Sequence, residues 1–510
     1  MRSNCLTISD SMADIKKSEI SFAGGILAMG GGAGIAQILT VLTAPVLSRL
    51  FAPEAYGLAT LYISFPSIVA CIGSLRYDQS IVLPKDDKSA ANLFSLCIFI
   101  LAGTTSLFAI VLFLCRDFIA DFSSVSQLGF YVKLWPISFF LLAVANPLRY
   151  WNCRQNRFEL LGAARAADSV GGKSLKIGGG ILGFTGGGSL IVCDLINELM
   201  IPLVLLYRIL ITDARYVLSN TSLGKMLIMA KRYVKFPMYM SWASLVTCTS
   251  SNIPPILLNS FFGTAVVGFY SVAVSLLQMP ASIICEAVSQ VFFQRIAGSR
   301  SKGRDVRPIV VRMVQHLVII GVLPTGMLMV LGPELFTFFL GPKWTQAGIY
   351  AVILTPWLLA TVVTTPLSAL FLIFEKQGQL LMFNAALLAA EVAALLFGGY
   401  VLHNAGSAIG CFSFFSFCIL SSLFYYILKM SAISLKRAVY PLVSCLPYLG
   451  LCIVTAAVCK WLLHLPASVL SLIAVALSVL YFALLFWRVG MFQRQIVRFF
   501  RRLFPNGVYE

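Results

Sequence analysis

The stretch RAADSVGGKSLKIGGGILGFTGGGSLIVCDLINELM, Arg165 to Met200, decides how this chain is read. Its apolar runs predict two membrane-spanning helices joined by a glycine turn near Gly187. Lys173, Lys176, Asp194 and Glu198 then lie inside the bilayer. A charge at a helix centre costs about 2.5–3.5 kcal/mol on insertion scales, so such residues face a protein interior or a watery cavity. In a chain this apolar they mark where a polar substrate would pass.

The rest of the composition agrees. The 510 residues are 59% hydrophobic and 11% charged, with a mean hydropathy of +0.89. Soluble domains are less apolar and carry far more charge. The apolar runs are too long and too uniform for barrel strands, so they are helices. The net charge of +18 does not imply nucleic acid. The Lys and Arg residues fall mostly in loops, as the positive-inside rule expects. The 13 Cys lie almost all in apolar runs and include no Cys-x-x-Cys pair. That argues against a disulfide framework or a zinc site. The polar N-terminal segment carries no cleavable signal, so the first helix acts as an uncleaved anchor.

Runs bounded by charge, Gly or Pro give about fourteen helices. Their expected spans are 24–46, 55–75, 92–114, 128–148, 166–186, 189–208, 236–259, 266–291, 310–332, 347–373, 379–401, 405–428, 439–459 and 466–487. With a cytoplasmic N-terminus, one set of alternate connecting segments holds nearly all the Lys and Arg. The other set holds Arg49, Arg116, Lys133, Lys343 and Lys460. Both termini are therefore expected in the cytoplasm. The outer loops are all short.

A weak repeat is present. SRLFAPEAYGLATLYIS and NSFFGTAVVGFYSVAVS place Phe51 and Gly57 at the spacing of Phe262 and Gly268. Parallel repeats of this kind are a known transporter plan. The expectation is a six-helix lobe over 1–210 and a second over 211–430. Two extra helices and a basic tail follow over 431–510.

Three stretches carry a family resemblance: AQILTVLTAPVLSRLFAPEAYGLATLYIS (36–64), SLRYDQSIVLPKDDKSAANLFSL (74–96) and PLRYWNCRQNRFELLGAARAA (147–167). They resemble the polysaccharide (O-antigen, Wzx-type) flippases of the MOP transporter superfamily. The resemblance implies an all-α polytopic protein of the bacterial inner membrane, with two six-helix lobes in a V around a central cavity. It implies movement of a polyprenyl-diphosphate-linked oligosaccharide from the cytoplasmic to the periplasmic leaflet, as in lipopolysaccharide assembly. Twelve helices are usual in that family, and fourteen occur in relatives such as lipid II flippases. A polysaccharide polymerase is a partner the resemblance leaves open. The glycine-rich fifth helix with two lysines departs from the common pattern.

Several residue types fit such chemistry. Lys173 and Lys176 are three apart and share a helix face, a cationic patch suited to a diphosphate or an acidic sugar. Other readings stand beside this one: snorkelling to the interface, or a structural Lys176–Glu198 bridge at equal depth from Gly187. Asp194 and Glu198, with Glu286 and Glu391, are the acidic groups deepest in apolar surroundings. They are candidates for H+ or Na+ coupling, or for structural pairing. Arg76, Arg149 and Arg154 at the inner mouth match phosphate geometry, or serve as topology anchors. Arg49 at the outer end either releases substrate or bridges Glu54. No catalytic constellation, phosphate loop or metal pair stands out, and only His316, His403 and His464 supply imidazoles. A small-molecule antiporter and a membrane polymerase or ligase remain the competing functions. The short outer loops weigh against the enzyme.

Overall fold

A computed structural model describes residues 34, 36–115, 128–300, 305–438, 450, 453–460, 466–474 and 476–477. The expected helices 439–459 and 466–487 and the N-terminal anchor lie largely outside these residues. Among the described residues every regular element is a helix. The helices are α1 (Ala36–Leu50), α2 (Pro53–Ala70), α3 (Asp87–Leu114), α4 (Trp135–Arg154), α5 (Phe158–Ile181), α6 (Gly187–Glu198), α7 (Met200–Thr212), α8 (Ala214–Asn220), α9 (Leu223–Arg232), α10 (Ser241–Phe262), α11 (Thr264–Arg300), α12 (Arg307–Leu340), α13 (Thr345–Leu367), α14 (Ala369–Ile373), α15 (Gln377–Phe397) and α16 (Ala405–Met430). Seven helical stretches among the described residues are long and apolar enough to cross a membrane. The pair α1–α2, bent by 119° at its break, makes an eighth if counted as one span. The chain is thus an all-α, multi-pass membrane protein.

Two boundaries moved, for physical reasons. The fifth helix was expected from 166; α5 starts at Phe158. Asn156 takes a left-handed turn (φ 54°), and Leu161 and Ala164 then bury one side of an extra two turns. The stretch between the sixth and seventh spans, expected to be a loop, instead folds into α8 and α9.

The helices group into two compact units, residues 1–279 with 381–412 and residues 280–380 with 413–510. The first has a core where α3, α4 and α7 meet, around Phe94, Phe139, Trp151 and Leu205. Phe94 and Trp151 pack with their rings tilted by 44° and centroids 5.2 Å apart. In the second unit α12 folds back on α13 through Gly341 and the buried Trp344. Lys460, expected in an outer loop, pairs there with Glu334 of α12 at 3.0 Å. It also donates to the Val330 carbonyl at 2.6 Å.

One contact inside the first unit is reciprocal. A Cβ on Gly57 would lie 1.9 Å from the Thr264 carbonyl oxygen; a Cβ on Gly268 would lie 1.8 Å from that of Pro53. The residues exchanged by this contact, Pro53 with Thr264 and Gly57 with Gly268, are related by the spacing of the repeated segments. Each α-helix start presses its glycine onto the other's first carbonyl. Inside a bilayer, apolar side chains gain nothing by leaving lipid, so such backbone approach supplies the packing. Gly57→Ala and Gly268→Ala should each lower stability by about 1–3 kcal/mol, since the neighbouring atoms are backbone and cannot rotate away. Gly103→Ala, whose Cβ would meet nothing within 4 Å, should not. Thermal unfolding of the detergent-solubilised protein measures both.

Candidate functional site

The site is built on the hairpin α5–α6. The chain leaves α5 after Ile181 and turns through Gly183 (φ 91°) before α6 begins at Gly187. The centre of this turn lies a few residues before Gly187, where it was expected. The residue level with Lys176 on α6 is therefore Asp194, not Glu198. Lys176 Nζ stands 2.6 Å from Asp194 Oδ1. Of the carboxylates open to Lys176, the pair forms with Asp194 rather than with Glu198. Lys173 and Lys176 sit well inside α5, which begins at Phe158 rather than near Lys176.

A cavity of about 310 Å³ opens beside this pair. It is lined by α1 (Ala36, Gln37, Thr40), α5 (Arg165, Asp168, Ser169, Gly172, Lys173, Lys176) and α6 (Asp194, Asn197). Its polar groups hold one another. Asn197 Nδ2 donates to Asp168 Oδ1 at 3.0 Å. Ser169 Oγ donates to the Ala36 carbonyl at 3.1 Å, tying α5 to α1. Gly172 is required here: a Cβ would lie 2.7 Å from the Asn197 amide carbon. Lys173 lines the same cavity and makes no ion pair within 4.0 Å among the described residues. Its ammonium is the donor best placed to receive an incoming anion.

Glu198 lies at the break between α6 and α7. Pro202 has no N–H for the Glu198 carbonyl, so the helix stops and restarts at Leu199. Both carboxylate oxygens of Glu198 are buried without a hydrogen-bond partner among the described residues. The group lies in the field of Tyr62, whose hydroxyl is 2.7 Å from Ser138 Oγ. A buried carboxyl is costly, and the Ser138 hydroxyl is the neighbour close enough to offset part of that cost.

The other expected residues lie apart from this cavity. Glu391 on α15 is buried and accepts a short hydrogen bond from Ser250 of α10. Glu286 falls on α11, with its side chain outside the described residues. Arg49 is exposed at the end of α1, and no Arg49–Glu54 pair is present among the described contacts. Arg149 on α4 is half-buried, within electrostatic reach of Arg165 and Asp168 behind the cavity wall.

Arg76 and Arg154 organise the loop between α2 and α3. Leu75 and Arg76 are both left-handed (φ 49° and 59°), which costs of order 1–2 kcal/mol per residue. Side chains hold them there. Arg76 Nε donates to Ser244 Oγ at 2.7 Å, and Ser74 Oγ donates to Asp78 Oδ1 at 2.9 Å. Burial pushes the Asp78 carboxyl above its ordinary range, against the Arg76 charge and the Ser74 bond. Arg154 donates to Asp87 at 2.8 Å and to the Pro84 carbonyl at 2.8 Å. Arg157 forks onto Asp213 at 2.7 and 2.8 Å, and Trp151 Nε1 donates to the same carboxylate at 2.9 Å. These guanidinium groups are engaged in holding helix ends.

Sequence reading missed Gln37, Thr40, Arg165, Asp168 and Asn197. The signal for Asp168 was present, since it stands one turn before Gly172 and Lys173, but an assumed helix start at 166 placed it at the membrane edge. For Asn197 the signal was the polar run around Glu198. The Lys176–Asp194 pair makes a direct prediction. Lys176→Gln or Asp194→Asn alone leaves one charge uncompensated and should cost about 1–3 kcal/mol. The double variant should cost less than the two single variants summed, as a thermal-stability double-mutant cycle would show.

The family model described as "Polysaccharide biosynthesis protein" matches residues 46–348. A search of curated proteins finds no match. Among solved structures, the lipid II flippase MurJ in an inward closed conformation aligns with a TM-score of 0.66 at 12% identity, over 91% of this chain and 98% of that one. An inward-facing multidrug resistance MATE family transporter of the MOP superfamily aligns at 0.58 and 14% identity, over 79% and 94%. A MOP superfamily transporter from Pyrococcus furiosus aligns at 0.58 and 15%, over 80% and 95%. At these identities the likeness is one of fold. The family match spans well over half of the chain, and with the helical architecture and the resemblance of its N-terminal stretches it shows that the chain belongs to the polysaccharide biosynthesis protein family, within the MOP-superfamily fold.

Proposed function

We propose that this chain is a flippase for a polyprenyl-diphosphate-linked oligosaccharide repeat unit. It moves the unit from the cytoplasmic to the periplasmic leaflet of a bacterial inner membrane. The observation that carries this reading is the cavity on α5 and α6, with Lys173, Lys176 and Arg165 among apolar membrane helices. The family match and the MOP-type fold support it. The polar sugar and diphosphate would pass through the protein while the polyprenyl tail stays in lipid. An anion would meet Lys173 first and would compete with Asp194 for Lys176. The cationic residues of the lining favour an anionic cargo over a cationic drug. No catalytic role is assigned to any residue.

Alternating access would use two six-helix lobes, 1–210 and 211–430, with the helices of 431–510 appended and both termini cytoplasmic. The compact units described above are packing groups, whereas the lobes are repeats of the sequence. The distribution of Lys and Arg supports the orientation. Coupling to H+ or Na+ would fall to Glu198, with Asp194 one turn away, because its buried oxygens lack partners. Glu391 and Glu286 are the further candidates. Arg49, Arg76, Arg149 and Arg154 are assigned to the mouths. Arg149 is favoured among them for substrate, because the donors of Arg76 and Arg154 serve the loop. A polysaccharide polymerase is the expected functional neighbour.

The test is a Lys173→Ala, Lys176→Ala double variant expressed in a strain lacking the gene. Surface glycan should be lost, with single lipid-linked repeats accumulating on the cytoplasmic side and the protein still present in the membrane. Normal glycan display would remove the lysines from substrate contact. Unjoined repeats accessible to periplasmic label in the deletion strain would favour a polymerase instead.

A further inference from the structure

Between α7 and α10 the chain runs along one end of the first unit as α8 and α9, then through the turn Phe236–Met240. One side of this segment is fixed. Val217, Met226 and Met229 are buried in the core that holds Trp151 and Leu205. The buried Asn92 of α3 donates to the Asn220 carbonyl and accepts the Ser222 N–H, each at 3.0 Å. Ser95 and Thr221 hydroxyls meet at 2.9 Å. The Tyr77 hydroxyl donates to the Ala230 carbonyl at 3.0 Å. The segment is therefore pinned at the first turns of α3 and the last turn of α7, both ends of membrane-crossing stretches. Its outer face cannot rotate inward.

That outer face combines two opposed chemistries. Leu218, Leu223, Leu227 and Ile228 are 78%, 70%, 63% and 61% exposed. Arg215, Lys225, Lys231, Arg232 and Lys235 are exposed among them. No acidic residue occurs from Ala214 to Met240, and Asp213 just before is held by Arg157 and Trp151. Exposed Tyr207 and Tyr216 lie at one end of the segment, and exposed Tyr239 and Trp242 at the other. Aromatic rings of this kind gather at the headgroup level of a membrane. Water alone does not favour so many bare aliphatic side chains on a short helix, and hydrocarbon alone does not accept five cations. A bilayer surface rich in anionic headgroups satisfies both.

We infer that residues 213–240 form a docking surface for anionic phospholipid. Leu218, Leu223, Leu227 and Ile228 dip below the headgroups. The five cations pair with lipid phosphates. The surface is separate from the α5–α6 cavity, and it does not depend on what the protein transports.

Hydrogen–deuterium exchange of the full-length protein in nanodiscs tests this. Discs of phosphatidylcholine alone are compared with discs containing roughly one-third phosphatidylglycerol. Amides of 214–232 should exchange about tenfold more slowly with the anionic lipid, and salt should reverse the effect. The variant Lys225→Gln, Lys231→Gln, Arg232→Gln, Lys235→Gln should lose that difference, while protection in α3 and α4 persists and certifies the fold. Equal exchange of the native protein in both discs would overturn the inference. So would lipid-dependent slowing that survives in the variant. Equal slowing by soluble polyglutamate in neutral discs would assign the face to an acidic protein instead.

Discussion

The ion pair between Lys176 and Asp194 is the constraint on which the rest of the first unit's site depends. A lone charge there is costly, and a closed pair fixes the register of α5 against α6. Once that register is set, Asn197 meets Asp168, and only a glycine at 172 leaves room for the amide. Two polar pairs, Lys176 with Asp194 and Asn197 with Asp168, then stand in the cavity lining, and Lys173 lines the same space. A buried pair of this kind adds little net stability over an apolar one. Its use is in specifying one arrangement and in offering a charge that a competitor can displace.

Glycine does in this membrane protein what large apolar side chains do in a soluble one. The exchange of contacts between Gly57 and Thr264 and between Gly268 and Pro53 brings two helix starts to backbone distance. The same two segments were marked in the sequence by their shared Phe–Gly spacing. A repeat that meets itself through equivalent residues makes a nearly symmetric joint, and a joint made of backbone offers no side chain to jam.

Much of this was legible from residue types alone. The membrane class followed from long apolar runs, and the charged hairpin followed from lysines and carboxylates that such runs do not normally contain. The register of the hairpin was not legible. Two glycine triplets and the single Gly183 lie between Lys176 and Asp194, and hydropathy does not say which of them turns. Moving the turn by a few residues exchanged Glu198 for Asp194 as the partner of Lys176. The fate of the arginines was equally hidden. Arg154 read as a phosphate-matching residue or a topology anchor, yet it and Arg157 each find a carboxylate far along the chain, in Asp87 and Asp213. Long-range pairing of this sort leaves no local pattern. Residues 214–232 were passed over because short helices with many cations look like loops to any hydropathy window.

The position of Glu198 connects the site to motion. It ends α6 where Pro202 interrupts the backbone ladder, one helical turn beyond Asp194. A helix already broken there bends at little further cost, since the lost hydrogen bond is absent in every state. The unpartnered carboxylate at the break and the paired carboxylate above it lie on one face of α6. An anion that drew Lys176 away from Asp194 would leave two carboxylates one helical turn apart with no cation between them. Uptake of a cation or proton at this turn would then follow from the arrival of the anion. Substrate recognition and ion uptake would be coupled through a single helical turn, with no long pathway between them.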